Sequence, residues 1–173
     1  MARLIENTVT GELHEVEVFD PASLGPNEID RGVIPAGIPG CAARWNGSAI
    51  VTDLAGPKAQ ALARVRALRE QHETGGLTTP FGPIETDAES QRKISGAVVM
   101  AMLGGAAFSI DWRMANNAIV TLNATDMSNL GVLVGQHVSA CQYRKNDLDA
   151  AIGAAATLAE IEAIDPEAGW PGS

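Results

Sequence analysis

The side chains with the clearest potential for chemistry in this chain are His137 and Cys141, which could bind a zinc ion. They stand four residues apart on one face of a predicted helix, as two zinc ligands would. The other histidines, His14 and His72, lie far away in the sequence, and no further ligands follow at a suitable spacing. We therefore predict no metal site and interpret His137 as a partly buried core histidine with a backbone hydrogen-bond partner.

The other sequence patterns that would indicate an enzyme are missing as well. The chain has no GxGxxG or GxxxxGK phosphate-binding loop and no GxSxG nucleophile turn. Asp147 and Asp149 are two residues apart in a predicted helix, so they face different directions. Such a pair is typical of solvated charges rather than of a general acid and base. We predict that the protein is not an enzyme and has neither a catalytic residue nor a cofactor.

The charge and the cysteines restrict the partners and the compartment. The net charge is −9, with 21 acidic against 12 basic residues. Neither nucleic acid nor an anionic membrane is an expected partner, because both need a clustered basic surface. No apolar run approaches the ~20 residues of a membrane-spanning helix, and the first residues lack a signal-peptide pattern, which predicts synthesis in a cytoplasm. Cys41 and Cys141 are then expected as two buried free thiols, with a single disulfide as the alternative.

The composition also indicates a light hydrophobic core. Hydrophobic residues make up 46% of the 173 residues, but aromatic residues only 4%. The core must therefore be built from Ala, Val, Leu and Ile, which bury less surface per residue than aromatic side chains. This predicts one domain, or a domain with a smaller appendage, that is supported by a partner or by further copies of itself.

The stretch that organises the predicted elements is Thr86–Asp111. Thr86 followed by Glu89 predicts a capping box at the start of a helix, with Asp87 adding negative charge there. Gly104-Gly105 predicts the helix end, and an alternating strand follows. The predicted buried face of this helix consists of Ile94, Ala97, Val98, Ala101 and Met102.

The N-terminal part is predicted to be β-rich and extended. Arg3–Phe19 reads as two short strands around Thr10-Gly11, with period-two alternation. Asp20–Gly40 is rich in proline and glycine, so we expect a connector without regular structure that is either flexible or lies on a neighbouring chain. In Ala42–Asp53, Asn46-Gly47 predicts the turn of a second hairpin.

The remainder alternates helices with hairpins. An amphipathic helix is predicted from Pro57, and its basic residues Lys58, Arg64, Arg66 and Arg69 form either a patch for an acidic partner or, as we favour, an ordinary solvated face. The later elements are a hairpin turning at Phe81-Gly82-Pro83, a hairpin of Phe108–Trp112 with Ala118–Leu122, a long helix capped by Asn123, and a short helix whose capping box is Thr157 with Glu160. The apolar stripe predicted along the long helix, at spacings of three and four, is Met127, Leu130, Val134, Val138 and Cys141, continued by Leu148 and Ile152.

The long helix contains a GxxxG pattern, Gly131 to Gly135, which predicts a tight contact between two elements. Taken together, the pattern predicts an α+β fold of small antiparallel hairpins alternating with amphipathic helices. A C-terminal helical pair and an extended N-terminal β arm complete it. We predict two regions: residues 1–56, with the hairpins and the connector, and residues 57–173, an α+β domain.

Several stretches of the second region are similar to one known family. In order they are RALREQHETGG, TDAESQRKISGAV, FSIDW, AIVTLNATDM, GQHVSACQ, LDAAIGAAATLAEIEAID and the terminal GWP. From about Ala61 to Pro171 the chain resembles the uncharacterised C-terminal domain shared by many tailed-bacteriophage tail, tail-fibre and tail-fibre-assembly proteins. That family has no established catalytic residues, so none is transferred to this chain.

The resemblance implies a role in the tail of a bacteriophage. The expected function is a non-enzymatic structural or adaptor component of the virion tail, at the tail tip or a fibre. It would be made in the host cytoplasm and would contact other tail proteins and copies of itself. An alternative is a tail-fibre assembly chaperone that is not retained in the virion, and a weaker one is a phage enzyme with an unrecognised site.

Three aromatic residues near turns or the chain end, Trp45, Phe81 and Trp170, are the predicted interface residues. Buried aromatic side chains anchor many protein interfaces. The alternative for each is a local packing role within its own hairpin or terminus. Trp112 is assigned to the core.

Overall fold

The computed structural model of this chain describes residues 1–17, 20–34, 36, 43–45 and 47–172. It has the predicted α+β architecture, in which antiparallel sheets of two or three strands alternate with helices. The helices are α1 (Ala55–Thr74), α2 (Ala88–Gly104), α3 (Ala124–Ala154) and α4 (Leu158–Glu162). The strands are β1 (Arg3–Asn7), β2 (Leu13–Val16), β3 (Glu28–Val33), β4 (Ala43–Trp45), β5 (Ile50–Thr52), β6 (Leu77–Thr79), β7 (Gly82–Ile84), β8 (Ser109–Arg113) and β9 (Ile119–Asn123).

The chain divides into two compact units. The first, the N-terminal unit, is Met1–Leu62 with Ile152–Ile164, and the second, the C-terminal unit, is Ala63–Ala151 with Asp165–Ser173. The sequence places a boundary between residues 56 and 57, whereas the units divide within α1 and near the end of α3. Four sequence predictions include residues outside the described ranges. They concern Phe19 in the second strand, residues 35 and 37–40 of the connector, the thiol of Cys41, and Asn46 in its hairpin turn.

The N-terminal sheet has the strand order β2-β1-β3, and both pairings are antiparallel. The prediction that Asp20–Gly40 has no regular structure is wrong, because Glu28–Val33 forms β3. This segment contains no proline, and its glycine, Gly32 (φ +115°), lies where the pairing with β1 shifts register between Leu4 and Ile5. A β-bulge at this glycine therefore allows the segment to pair as a strand, where the composition predicted no regular structure.

The C-terminal unit holds the main core. Its hairpins, β6 with β7 and β8 with β9, supply buried side chains that pack with those of α2 and α3. Both hairpins were predicted, although the first turns at Pro80-Phe81, one residue earlier than expected. Trp112 packs against this core as assigned. The buried core residues are Ile84, Ile94, Ala97, Ala101, Met114, Leu122, Met127, Leu130 and Val134.

The start of α2 corrects the predicted capping box. Asp87 is the N-cap, and its Oδ1 accepts hydrogen bonds from the backbone N–H groups of Glu89 (2.9 Å) and Ser90 (3.1 Å). The Ser90 hydroxyl also donates to Asp87, and these bonds hold the pKa of Asp87 below its usual value. Thr86 is buried, and its hydroxyl accepts from the N–H of Gly76 at 2.9 Å. This hydrogen bond ties the end of α1 to the start of α2. Asp87 rather than Thr86 caps the first turn, because its carboxylate is the better-placed acceptor.

The helix α3 agrees closely with its sequence pattern. Asn123 Oδ1 accepts from the N–H of Asp126 at 3.0 Å, which confirms the predicted cap. Six residues of its apolar stripe are buried, and the seventh, Val138, is half-buried. The buried ones are Met127, Leu130, Val134, Cys141, Leu148 and Ile152. A Cβ on Gly131 would lie 2.5 Å from Cγ2 of Val98, which confirms a tight contact, here between α3 and α2. The capping box of Thr157 and Glu160 at α4 is confirmed as well.

Candidate functional site

His137 and Cys141, the two side chains best suited to chemistry, have a structural role. His137 is buried, and its Nε2 donates to the carbonyl oxygen of His72 at 3.0 Å, which confirms the predicted backbone partner. The sulfur of Cys141 lies 4.0 Å from the same nitrogen and has no exposed surface. Burial raises the pKa of the Cys141 thiol. A buried thiol with a raised pKa is a poor nucleophile, because the reactive form is the thiolate.

Neither a metal centre nor a membrane-spanning helix is found where the chain is described. Within those ranges, no group of three or more His, Cys, Asp or Glu side chains is arranged to hold a metal ion. No helix formed by the same residues has the length and apolar character needed to cross a membrane.

Trp170, one of the three predicted interface residues, is buried in its own chain. Its ring stacks on His72 with the centroids 5.2 Å apart and 5° between the planes, and Nε1 donates to the carbonyl oxygen of Pro166 at 2.7 Å. Arg144 Nε donates to the carbonyl oxygen of Ala168 at 2.9 Å. With 3% of Trp170 exposed, the residue holds the C-terminal turn in place and leaves little surface for a second protein.

Trp45 and Phe81 are half-buried. Trp45 lies on β4 against the small core of Leu4, Ile34 and Ala43, and the guanidinium carbon of Arg31 is 5.1 Å from its ring centroid. Phe81 lies in the β6–β7 turn and packs against the main core. Each side chain therefore has a local packing role and some remaining exposed surface, and its contact with a partner stays a prediction.

A cleft of about 520 Å³ opens beside Trp45 in the N-terminal unit. Its charged lining is already paired: Arg31 Nε lies 2.7 Å from Glu6 Oε2, and Arg44 lies 2.6 Å from Asp53. The hydrogen bond from Arg44 lowers the pKa of Asp53, so this carboxylate is ionised at neutral pH and unsuited to act as an acid. The cleft is thus a polar groove between charge pairs.

Most basic side chains of α1 make hydrogen bonds or ion pairs within the chain, and each of these contacts lies within one of the two units. In the N-terminal unit, Lys58 Nζ donates to the carbonyl oxygen of Gly153 at 2.7 Å, near the C-terminal end of α3. In the C-terminal unit, Arg64 pairs with Glu167 at 2.7 Å, and Arg69 pairs with Glu73 one turn along the helix. These contacts favour a structural role over a patch for an acidic partner.

The most unusual surface is the outer face of the last two turns of α2. Val99, Met100, Met102 and Leu103 are 55, 62, 75 and 85% exposed, and we call these four residues the α2 patch. Ile94, Ala97 and Ala101 fill the inward face of the same helix. The prediction that Met102 belongs to the buried face is wrong, since at 100° per residue it is rotated by about 80° from Ile94, and Ala101 takes the inward position.

Gly96 precedes the α2 patch by one turn and lies exposed in the middle of the helix. A glycine here costs about 0.5–1 kcal/mol relative to alanine. A Cβ at this position would meet no atom within 4 Å, so packing inside the chain does not require a glycine. Gly96 leaves a shallow hollow on the same side of the helix as Val99 and Leu103, which follow it at intervals of three and four residues.

Comparison with known proteins gives one match. The model of a family described as a domain of unknown function (DUF4376) matches residues 56–168, about two-thirds of the chain. The chain belongs to this family. No curated protein and no solved structure matches it. The DUF4376 region begins at the start of α1 and contains the whole of α2 with its patch, whereas β1 to β5 lie before it.

Reasoning from the sequence missed the α2 patch within the DUF4376 region. The signal was present in Val98–Leu103, VVMAML, six consecutive apolar residues in a predicted helix. Six residues at 100° each cover every side of a helix, so some of them had to face outward wherever the core lay. The predicted buried face includes Val98, Ala101 and Met102, and the outward position of the other three was left unconsidered.

Proposed function

We propose that this protein is a non-enzymatic component of a bacteriophage tail that acts through protein–protein contacts. The observation that carries its interaction role is the α2 patch, four large apolar side chains exposed on consecutive turns of one helix. Contiguous apolar surface of this kind marks binding sites, because leaving it in water is unfavourable.

The assignment to a tail rests on the sequence resemblance. The similar stretches extend from about Ala61 to Pro171 and overlap the DUF4376 match at residues 56–168. The family description assigns no function, so the tail role depends on the similarity of stretches such as FSIDW and AIVTLNATDM to tail and tail-fibre proteins.

The N-terminal sheet supports attachment to a neighbouring tail protein. In the order β2-β1-β3, both β2 and β3 have an outer edge whose backbone groups can pair with an added strand. On β3, Ile29 and Val33 are exposed and would pack against the incoming strand. The segment predicted to be an extended arm is therefore a small folded sheet, which we expect to accept a strand from a neighbouring protein or to donate one to it.

One observation, the composition of the α2 patch, supports the alternative function of an assembly chaperone. Two of its four residues are methionines, Met100 and Met102. Their flexible, polarisable side chains adapt to differently shaped apolar partners, as a factor that holds an incompletely folded fibre requires.

Quantitative mass spectrometry of purified virions from the phage that encodes this chain tests the proposal. A structural component is expected at a fixed copy number that matches the rotational symmetry of the tail. Absence from virions together with abundance in infected cells, in complexes with a fibre protein, would identify the chaperone. Absence from virions without any complex with a tail or fibre protein in the cell lysate would contradict the tail proposal.

A further inference from the structure

We propose that the α2 patch, together with Gly96, is the contact between two copies of this chain, paired antiparallel about a two-fold axis near Val99 and Met100. This inference goes beyond the tail proposal and does not depend on it. It is carried by the arrangement of the exposed residues along α2.

The outward face of α2 contains both a projection and a hollow. Leu103 is 85% exposed, and Gly96 leaves open space above the helix backbone. The midpoint between these two residues along the helix lies between Val99 and Met100. When two copies of α2 pair antiparallel around this midpoint, Leu103 of each copy lies over Gly96 of the other. An isologous interface requires self-complementarity, and one helix face that carries both the projecting Leu103 and the open space at Gly96 can supply it.

The charges around the α2 patch suit a second copy as well. The chain carries a net charge of −9, yet the sequence from Ser90 to Ile110 contains no Asp or Glu. Two copies of α2 can therefore pair here without bringing carboxylates of this stretch together. In the antiparallel pair, the exposed Arg92 of each copy lies beside the C-terminal end of the other α2, where the last carbonyl groups carry partial negative charge.

The spacing of the outward residues matches a seam between two helices. Gly96, Val99 and Leu103 follow one another at intervals of three and four residues, which keeps them facing a neighbouring helix. Met100 and Met102 flank this line and cover its edges. The glycine distinguishes the antiparallel arrangement, because parallel pairing around a two-fold axis would set Gly96 against Gly96 and leave a void between the helices.

A pair of this kind closes on itself and cannot be the repeating contact of a ring around a tail axis. It describes the protein before or outside incorporation into a tail, and the α2 patch becomes available to another protein only when the pair separates. The N-terminal sheet stays available for a different partner throughout. Failure of the tail proposal in virions would leave this pair unaffected, and the two proposals are therefore tested separately.

Sedimentation equilibrium of the purified full-length chain over a micromolar concentration series tests the association. We expect a mass that approaches twice 18.0 kDa. Leu103→Glu should raise the dimer dissociation constant at least about 100-fold, because two carboxylates would enter an apolar contact. The matched control, Tyr143→Glu on the exposed side of α3, should leave it unchanged within about twofold. A chain that is monomeric at every concentration, or a dimer that survives Leu103→Glu, would overturn the proposal.

A second variant separates association from folding. Gly96→Leu should weaken the dimer at least about tenfold by filling the hollow. It should also raise the free energy of unfolding of the monomer, because leucine favours a helix more than glycine does and meets no obstacle inside the chain at its Cβ. Tighter association of Gly96→Leu would overturn the assignment of the hollow.

Cysteine cross-linking in a Cys41→Ser background tests the orientation. Under mild oxidation Val99→Cys should form a disulfide-linked dimer, because residue 99 lies next to the two-fold axis. Arg92→Cys should form none, since the two copies of residue 92 would lie about 22 Å apart along the helices at 1.5 Å per residue. Cross-linking of both variants would show parallel helices and overturn the antiparallel pairing.

Discussion

The N-terminal sheet and the C-terminal unit of this chain differ in what holds them together. Among the described residues, nine buried apolar side chains form the main core, whereas the core beside the N-terminal sheet consists of Leu4, Ile34 and Ala43. The sheet adds ion pairs between Arg3 and Asp30 and between Arg31 and Glu6. A fully buried aliphatic side chain contributes about 1.5–3 kcal/mol. Ion pairs at a protein surface contribute about 0–1 kcal/mol, and partial burial of these two adds a cost of desolvation to their attraction.

This difference in packing implies a difference in stability. We expect the C-terminal unit, most of which lies in the DUF4376 region, to stay folded on its own contacts. The sheet gains less from burial, so we expect it to open first and to be the part that a partner strand can complete. The predictions below test this division of stability and interaction.

Deletion of Met1–Gly40 should have the largest effect on interaction and a small effect on the main core. No residue of that core precedes Ile84 in the sequence, so the truncated chain should keep its helical circular dichroism spectrum and unfold cooperatively. Binding to the neighbouring tail protein should be lost in a pull-down assay. A truncated chain without helical signal would show that the N-terminal segment is part of the folding core.

Leu130→Ala and Leu4→Ala compare the two cores directly, since both side chains are almost completely buried. Leu130→Ala should lower the free energy of unfolding by about 2–5 kcal/mol, because it leaves a cavity among α2, α3 and the hairpins. Leu4→Ala should accelerate hydrogen exchange in β1 to β3 without shifting the urea midpoint of the helical signal. Equal shifts of that midpoint for both variants would mean that the two cores unfold as one.

Gly131→Ala and Gly135→Ala form a matched pair within the GxxxG pattern of α3. The first places a methyl group 2.5 Å from Val98 and should destabilise the protein by about 1–3 kcal/mol. The second meets no atom within 4 Å and should stabilise it by about 0.5–1 kcal/mol, since alanine is the better helix former. Urea denaturation of both variants measures the two effects, and equal signs would contradict the close contact between the helices.

Acid should weaken the N-terminal sheet, with a smaller effect than the deletion and the substitutions described above. The hydrogen bond from Arg3 holds the pKa of Asp30 below its usual value of 3.8. Its stabilising contribution is therefore fully present above pH 3.8 and is lost as the pH falls through the lower value of the folded state. Amide exchange of β1 and β3 should quicken in that range, relative to its intrinsic rate, and Asp30→Asn should remove this step. An unchanged profile in Asp30→Asn would assign the acid effect to other carboxylates.

The sequence predicted the helices and the hairpins of the C-terminal unit because their signals are local. In α3, the cap by Asn123 and the regular spacing from Met127 to Ile152 depend only on neighbouring residues, and the structure confirms both. Thr157 with Glu160 is confirmed for the same reason. Such contacts span a few residues and change little with the surrounding fold.

Predictions that required a choice between competing partners were less reliable. Thr86 and Asp87 are both able to cap α2, and the choice depended on Gly76, whose N–H needed the Thr86 hydroxyl. The strand β3 could not be inferred from its own residues, because its partner β1 lies more than twenty residues earlier. A short segment between prolines becomes a strand only when an edge is available for pairing.

The amino-acid sequence by itself determined the α+β class, the positions of the main helices and hairpins, and the burial of His137 against a backbone carbonyl. Tertiary structure decided which apolar residues of VVMAML face the core, and so created the α2 patch. The reason is geometric: a helix that is apolar on every side carries no internal information about its orientation, and the neighbours that cover one side determine which residues remain exposed.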